Sequence, residues 1–318
     1  MKRIFDNILS TRKEPCLFIN LGGVLKKLLE GSKMSKQYKP IIFNTLENKH
    51  TITEVVNRLN IRIIVIETSK VKEYKEDEIH ELIKLRTQGV IIYEAEEFYE
   101  LINKRIPIVR LNEREYLGDA IFSIRMRRRY KYLKRLFDLF CVLMIFPFAL
   151  VLIIIGGILV KLTSKGSVFF SQVRVGENSE KFVIRKIRTM ETKGNDGGFT
   201  QTNDTRITTV GKFLRLTKID ELPQLWNILI GDMSIVGPRP ERPEYVEQYS
   251  KINPFFNLRH MVKPGVSGWA QIHIPKATPQ DNLKKLEYDL FYIKKYHWSL
   301  DIIVLWETIK IVFRMDSN

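Results

Sequence analysis

The chain has 318 residues, 44% of them hydrophobic, and carries 52 Lys and Arg against 36 Asp and Glu, a formal charge of +16. This length favours two domains, the apolar share excludes a disordered chain, and two cysteines, Cys16 and Cys141, exclude a disulfide framework or a Cys-rich metal site. The positive excess suits nucleic acid, anionic lipid or a phosphate-rich small molecule, and charge by itself does not choose among them.

Residues 1–125 hold 22 basic against 18 acidic side chains and the remainder 30 against 18, which places the basic surface in the C-terminal two-thirds. The opening Met-Lys-Arg is followed by polar residues without the apolar core of a signal peptide, so the first domain is expected in the cytoplasm. Between Cys16 and Arg110, Cys16 to Asn20, Ile41 to Asn44, Arg62 to Ile66 and Gly89 to Tyr93 read as strands. Helical patterns fall between them, as at Glu76 to Thr87, where Ile79, Leu82, Ile83 and Leu85 lie mainly on one side. This β-α alternation predicts a Rossmann-like parallel-sheet half-domain over residues 1–125. Its Gly22-Gly23 pair follows the first strand without completing G-x-G-x-x-G, so a structural turn is favoured over dinucleotide binding and no chemistry is assigned there.

A second region, 126–165, takes in most of a basic collar, Arg125 to Arg135, and an apolar run from Leu136 to Val160 whose one charge is Asp138. The run is long enough to span a bilayer, yet both flanks are basic, with Lys161 and Lys165 following, so both ends are expected on the cytoplasmic side. Pro147 near its middle predicts a helix that enters, turns near Phe146-Pro147 and returns, in preference to a spanning helix. Gly156-Gly157 would let the returning arm pack closely, and Cys141 is expected to be a buried thiol.

Residues 166–318 carry the chemistry. Val168 to Met190 read as a hairpin with a polar turn at Gly176 to Glu180, and its second strand brings Arg185, Lys186 and Arg188 together. Period-two alternation puts Lys186 and Arg188 on one face, either as a diphosphate site or as a solvated strand face. In Gly211 to Leu229, Pro223 fits only the first turn of a helix, so Asp220 and Glu221 should lie at a helix N-terminus, where free N–H groups favour anions. An N-cap Asp with a first-turn Glu is the structural alternative. Arg215 lies upstream, and two prolines in Gly231 to Pro240 restrict the backbone that presents Arg239. Lys186, Arg206, Arg215 and Arg239 could thus converge on two adjacent carboxylates, an arrangement suited to phosphoryl transfer through an aspartyl-phosphate. Met190, Met233 and Trp226 read as core.

From about Lys131 to Phe313 the elements F-D-L, K-I-R-T-M, D-T-R-I-T-x-V-G-x-F-L-R, D-E-L-P-Q-L-x-N, G-D-M-S-I-V-G-P-R-P and K-P-G-V-S-G-W-A-Q resemble, in order, the bacterial sugar transferases, the monotopic phosphoglycosyl transferase superfamily. The resemblance implies a small α+β catalytic domain on the cytoplasmic face of the cytoplasmic membrane, anchored by a re-entrant helix with Pro147 at its break. It implies transfer of a sugar phosphate from a UDP-sugar to polyprenyl (undecaprenyl) phosphate, with release of UMP, at the first membrane step of polysaccharide or glycoconjugate assembly. Asp220 matches the nucleophile and Glu221 the acidic partner expected to hold Mg2+. Lys186, Arg215 and Arg239 match phosphate-contacting positions, whereas Arg188 and Arg206 match motif positions not separable from scaffolding. Membrane lipid is then an expected partner, nucleic acid is not, and a second copy of the chain is allowed.

Two departures stand out. After Gln271-Ile272, where many relatives resemble N-G-R, this chain reads His273-Ile-Pro-Lys276, so an arginine is missing that Lys276 either replaces or does not. Larger relatives resemble the N-terminal domain but place a transmembrane bundle before it, which is not found here. For this domain regulatory ligand binding, a dimer interface and a spacer all stay open. The aromatic and basic residues from Leu286 to Phe313 suit either amphipathic helices on an anionic leaflet or helices packed on the domain's own core. A lipid- or nucleic-acid-recruiting scaffold is the competing reading, and it leaves the ordered motifs unexplained.

Overall fold

The computed structural model describes residues 13–23, 37–45, 50–67, 74–108, 128–191 and 204–313. Two compact units divide the chain, Met1–Pro107 and Ile108–Asn318. The boundary expected between 125 and 126, with Arg125 and Arg127 of the collar, lies outside the described residues.

In the first unit β1 (Glu14–Ile19), β2 (Tyr38–Phe43), β3 (Ile63–Ile66) and β4 (Ile91–Glu94) form a parallel sheet in the order β2-β1-β3-β4. Strand β2 starts at Tyr38 and so contains Pro40, which an edge strand tolerates because its missing N–H can face outward. Helices α1 (Ile52–Arg58), α2 (Glu76–Thr87) and α3 (Ala95–Asn103) follow β2, β3 and β4 in turn. Because side chains alternate along a strand, Cys16, Phe18, Ile63 and Val65 face one side with Phe98 and Tyr99 of α3. Leu17, Ile19 and Ile64 face the other, with Ile52 and Val56 of α1 and Leu82 and Leu85 of α2. Gly22 N–H, in the turn after β1, donates to Glu67 Oε2 at 2.7 Å. The paired glycines therefore serve a turn closed by the chain's own carboxylate.

In the second unit the first described helix is α4 (Arg128–Thr163), one helix of 36 residues that continues through Pro147 without interruption. From Tyr130 to Thr163 it is long and apolar enough to cross a membrane. Lys134, Asp138, Val142, Ala149, Gly156 and Val160 are buried, their spacing of four or seven residues marks one face, and the buried Gly157 lies beside it. Asp138 lies on that face and accepts from Ile235 N–H (3.2 Å), so between Leu136 and Val160 the exposed face, including Leu143, Phe148, Ile154 and Ile158, carries no charge. A Cβ on Gly156 would lie 3.1 Å from Ile187, and one on Gly157 3.0 Å from Val168, which explains the small residues at this packed end. Cys141 sits beside the covered face and is only half-buried, contrary to expectation.

Strands β5 (Phe169–Val175) and β6 (Lys181–Ile187) form the antiparallel hairpin, with its turn at 176–180. Helix α5 (Thr209–Leu216) follows, then a 3-10 turn (Ile219–Gln224) continuous with α6 (Leu225–Ile230). Short strands β7 (Ser234–Val236) and β8 (Gly265–Ser267) pair in parallel. Among the described residues the remaining α-helices are α7 (Pro243–Ile252), α8 (Trp269–His273), α9 (Asn282–Lys294) and α10 (Trp298–Phe313), with a 3-10 helix at Pro254–Met261 and another at Pro279–Asp281. Val142, Ile184, Ile228 and Met233 make one core cluster, and Val160, Ile187 and Leu214 another. Met233 is core as expected, and Met190 is partly buried. Trp226 is not core: it is 50% exposed, because Asn227 and Ile228 take the inward positions of α6. The aromatics after Leu286 also divide. Tyr288, Phe291, Tyr292 and Tyr296 are buried, while Trp298 and Trp306 of α10 are exposed.

Candidate active site

Asp220 and Glu221 occupy the first turn of the 3-10 segment that feeds α6, the position Pro223 requires. The turn is entered through Lys218, a non-glycine residue in the left-handed region (φ 60°, ψ 13°), whose carbonyl accepts Glu221 N–H at 3.1 Å. Such a conformation costs free energy and persists only where the surroundings enforce it. Two motifs lock around this turn. Gly211 opens α5 so close to Thr189 that a Cβ would lie 2.0 Å from the Thr189 carbonyl oxygen, and the Thr189 hydroxyl accepts Arg215 Nε–H at 2.8 Å. Gly237, next to β7, would put a Cβ 2.3 Å from Lys263 O, so strand β8 and the segment leading to Arg239 meet backbone against backbone.

The two carboxylates live in different surroundings. Glu221 Oε1 accepts from Arg239 Nη2 (2.9 Å) and also from Lys186 Nζ, which β6 projects from its last turn of pleat. Burial opposes ionisation of Glu221, yet Arg239 and then Lys186 hold its carboxyl well below the usual range. Asp220 is 6% exposed, and its side chain makes no hydrogen bond among the described residues; Oδ1 is buried without a partner. Burial, reinforced by the neighbouring Glu221 charge, pushes it up to about 6 against the pull of Lys186, Lys218 and Arg215. One carboxylate is thus a fixed, neutralised anion and the other a desolvated one whose Oδ1 has no hydrogen-bond partner among the described residues.

The cations divide as well. Lys186 and Arg239 are engaged by Glu221, while Arg215 spends only Nε on Thr189, so its two Nη groups have no partner among the described residues. Lys218 acts electrostatically on both carboxylates and forms no side-chain bond among the described residues. Arg188 goes elsewhere: its Nη2 donates to the Ser164 carbonyl (3.0 Å) and hydroxyl (2.9 Å), tying β6 to the end of α4. The shared strand face therefore splits, Lys186 to the dyad and Arg188 to the helix. Arg206 is held by Asp204 through Nε (2.9 Å) and Nη2 (2.7 Å). Sequence reasoning missed Lys218, Thr189 and Arg174, a half-buried strand arginine whose charge field meets Arg239 and Glu221.

Among the described residues no three His, Cys, Asp or Glu side chains cluster as a closed metal site. A magnesium ion shared with a substrate needs only one or two carboxylates, the remaining oxygens coming from phosphate and water. The adjacent acidic pair, with its orphaned Asp220 oxygen, fits that donor set.

Residues 129–315 match the bacterial sugar transferase family. Over 186 residues the chain is 41% identical to the Aeromonas hydrophila UDP-N-acetylgalactosamine-undecaprenyl-phosphate N-acetylgalactosaminephosphotransferase, covering 58% of this chain and 44% of that protein. It is 44% identical over 172 residues to the Klebsiella pneumoniae UDP-glucose:undecaprenyl-phosphate glucose-1-phosphate transferase, covering 51% of this chain and 37% of the relative. A Caulobacter vibrioides protein of the latter name is 36% identical over 186 residues, covering 57% of this chain and 67% of the relative. The chain spans less than half the length of the first two relatives.

Proposed function

This chain belongs to the bacterial sugar transferase family, and from that premise we propose that it moves a sugar 1-phosphate from a UDP-sugar to undecaprenyl phosphate through a covalent phosphosugar intermediate on Asp220. The observation that carries this reading is the unpartnered, buried Asp220 oxygen beside a Glu221 already neutralised by two cations. An Asp220 oxygen attacks the sugar-bearing phosphorus, the bond from that phosphorus to the UMP oxygen breaks, and UMP leaves. An oxygen of undecaprenyl phosphate then attacks the same phosphorus and releases Asp220. Both steps build negative charge on phosphate oxygens, and the free Nη groups of Arg215 and the Lys218 ammonium are the donors available to receive it. Arg239 and Lys186 hold Glu221 and remain within reach of the same phosphates. Magnesium, when bound, would be held by Glu221 and would neutralise charge on the diphosphate.

The membrane seat follows from α4. Its N-terminal arm is fixed to the catalytic unit by Lys134 on Asp301 of α10 (2.6 Å) and Arg135 on the Leu229 carbonyl (2.9 Å), and its C-terminal arm by Arg188 on Ser164. Val142 and Val160 would stand about 27 Å apart on a straight helix, whereas Ile184 and Ile187, from the same two clusters, are about 10 Å apart along β6. A helix bent at Pro147 accommodates this, and attachment of both arms to one domain supports a re-entrant helix with the site on the cytoplasmic face. The exposed Trp298 and Trp306 of α10 suit the lipid boundary.

Relatives of similar identity use N-acetylgalactosamine or glucose, so the sugar is left to experiment. Purified chain with magnesium, undecaprenyl phosphate and a panel of UDP-sugars should release UMP with one or a few donors. No UMP from any donor, in a preparation that is folded, would contradict the assignment.

A further inference from the structure

Four consecutive carbonyls carry the chain past Arg239, and each is held. Pro238 O accepts from Gly265 N–H (2.9 Å), and Glu241 O from Val175 N–H (3.0 Å). Side chains grip the two between: Arg259 Nη2 donates to Arg239 O (3.0 Å) and Arg174 Nη1 to Pro240 O (3.0 Å). The Arg259 guanidinium is buried, lies over the Phe256 ring and forms an ion pair with Asp289 at 2.7 Å, itself 1% exposed. The Glu241 carboxylate closes the cluster, 2.9 Å from Lys285, 3.9 Å from Arg259 and 4.0 Å from Arg174.

Buried ion pairs are poor sources of stability, since apolar residues of equal volume hold a core at least as well. A guanidinium here does what an apolar side chain cannot: it donates to a main-chain oxygen in a segment whose two prolines supply no N–H of their own. Arg239 is the residue so fixed, and its own guanidinium meets Glu221 at 2.9 Å. We propose that Arg259, oriented by Asp289, is a positioning residue that sets Arg239 against Glu221, with Arg174 doing the same at Pro240. Its consequence for turnover rests on the transferase reading.

The test is a double-mutant cycle on UMP release by the full chain, with amide hydrogen exchange as a second readout. Arg259→Met is expected to lower turnover about 30- to 100-fold, the scale of a small misplacement of a reacting-site group. In an Arg239→Ala background the same change is expected to cost less than about 3-fold, because effects that act through one group do not add. Peptides covering 236–242 should exchange faster in Arg259→Met while those of β6 and α6 stay unchanged. If Arg259→Met does not yield folded protein, Asp289→Asn and Arg174→Met go through the same cycle. Equal losses in both backgrounds, or unchanged exchange over 236–242, would overturn the proposal. A wild-type chain that releases no UMP would sink the transferase reading instead, and exchange would then decide the positioning claim alone.

Discussion

Each unit of this protein buries a carboxylate just beyond a strand or at the head of a turn, and the two are used in opposite ways. Glu67, 3% exposed after β3, accepts the Gly22 amide at 2.7 Å, where a dinucleotide phosphate would meet a glycine-rich turn. The first unit fills that anion place with its own side chain. Asp220 is also buried, but Oδ1 has no partner and the nearby Arg215 and Lys218 keep donors free among the described residues. Buried polar groups are normally satisfied from within, so an unsatisfied one among free cations supports the proposed role of Asp220 in meeting a ligand.

The largest expected effect is at Asp220. Asp220→Asn should reduce UMP release by at least about 10³-fold, as loss of a nucleophile does. It should also raise stability at pH 7.5 by about 1–3 kcal/mol, because the amide removes a charge that burial disfavours; thermal unfolding of the variant reads this directly, and a lowered midpoint would show that the charge is not a cost. Glu221→Gln sharpens the contrast within the dyad. It leaves Lys186 and Arg239 without their anion, and should lose turnover about 100-fold and stability by about 3 kcal/mol. The neighbouring carboxylates are thus predicted to change stability with opposite signs.

The pH profile separates them too. With Asp220 raised to about 6, its ionised form is depleted below that pH, and turnover should fall about tenfold per unit there. Its folded-state value lies above the unfolded one, so its contribution to stability is present below the unfolded value and lost as pH rises through about 6. Glu221 runs the other way: held well below its usual range, it stabilises the fold above the unfolded value and stops doing so as pH falls through its depressed folded value. A rate profile flat from pH 7 to 5 would break the assignment of Asp220. The smallest effect belongs to the first unit: Glu67→Ala should leave UMP release within about 2-fold while costing about 1–3 kcal/mol of stability, from an amide left unsatisfied.

Much of this was legible in the chain itself where the signal was local. The four strands, the helix Glu76–Thr87 and the turn containing Pro223 follow from alternation, helical spacing and the constraint on proline. Strand β2 begins at Tyr38, three residues before the Ile41 that the apolar run predicts, and an edge strand admits Pro40 between them. Residues whose roles depend on distant partners were not readable. Arg188 lies two positions from Lys186 yet serves Ser164, since the strand ends at Ile187 and the next side chain turns toward α4. Trp226 and Cys141 sit in apolar sequence but beside, not on, the covered faces of their helices. Arg259 and Asp289 had only one hint, a charge set among apolar neighbours such as Leu258 and Leu290, and nothing in the spacing links residues thirty positions apart.

The central claim is covalent attachment to Asp220, and intact-mass measurement after incubation with magnesium and an accepted UDP-sugar, with no lipid acceptor, tests it most directly. A mass gain of one sugar phosphate, located on the peptide containing Asp220, absent from Asp220→Asn and discharged by undecaprenyl phosphate, is the predicted result. UMP release that requires the acceptor from the start, with no adduct at any time, would contradict it and point to direct transfer in a ternary complex.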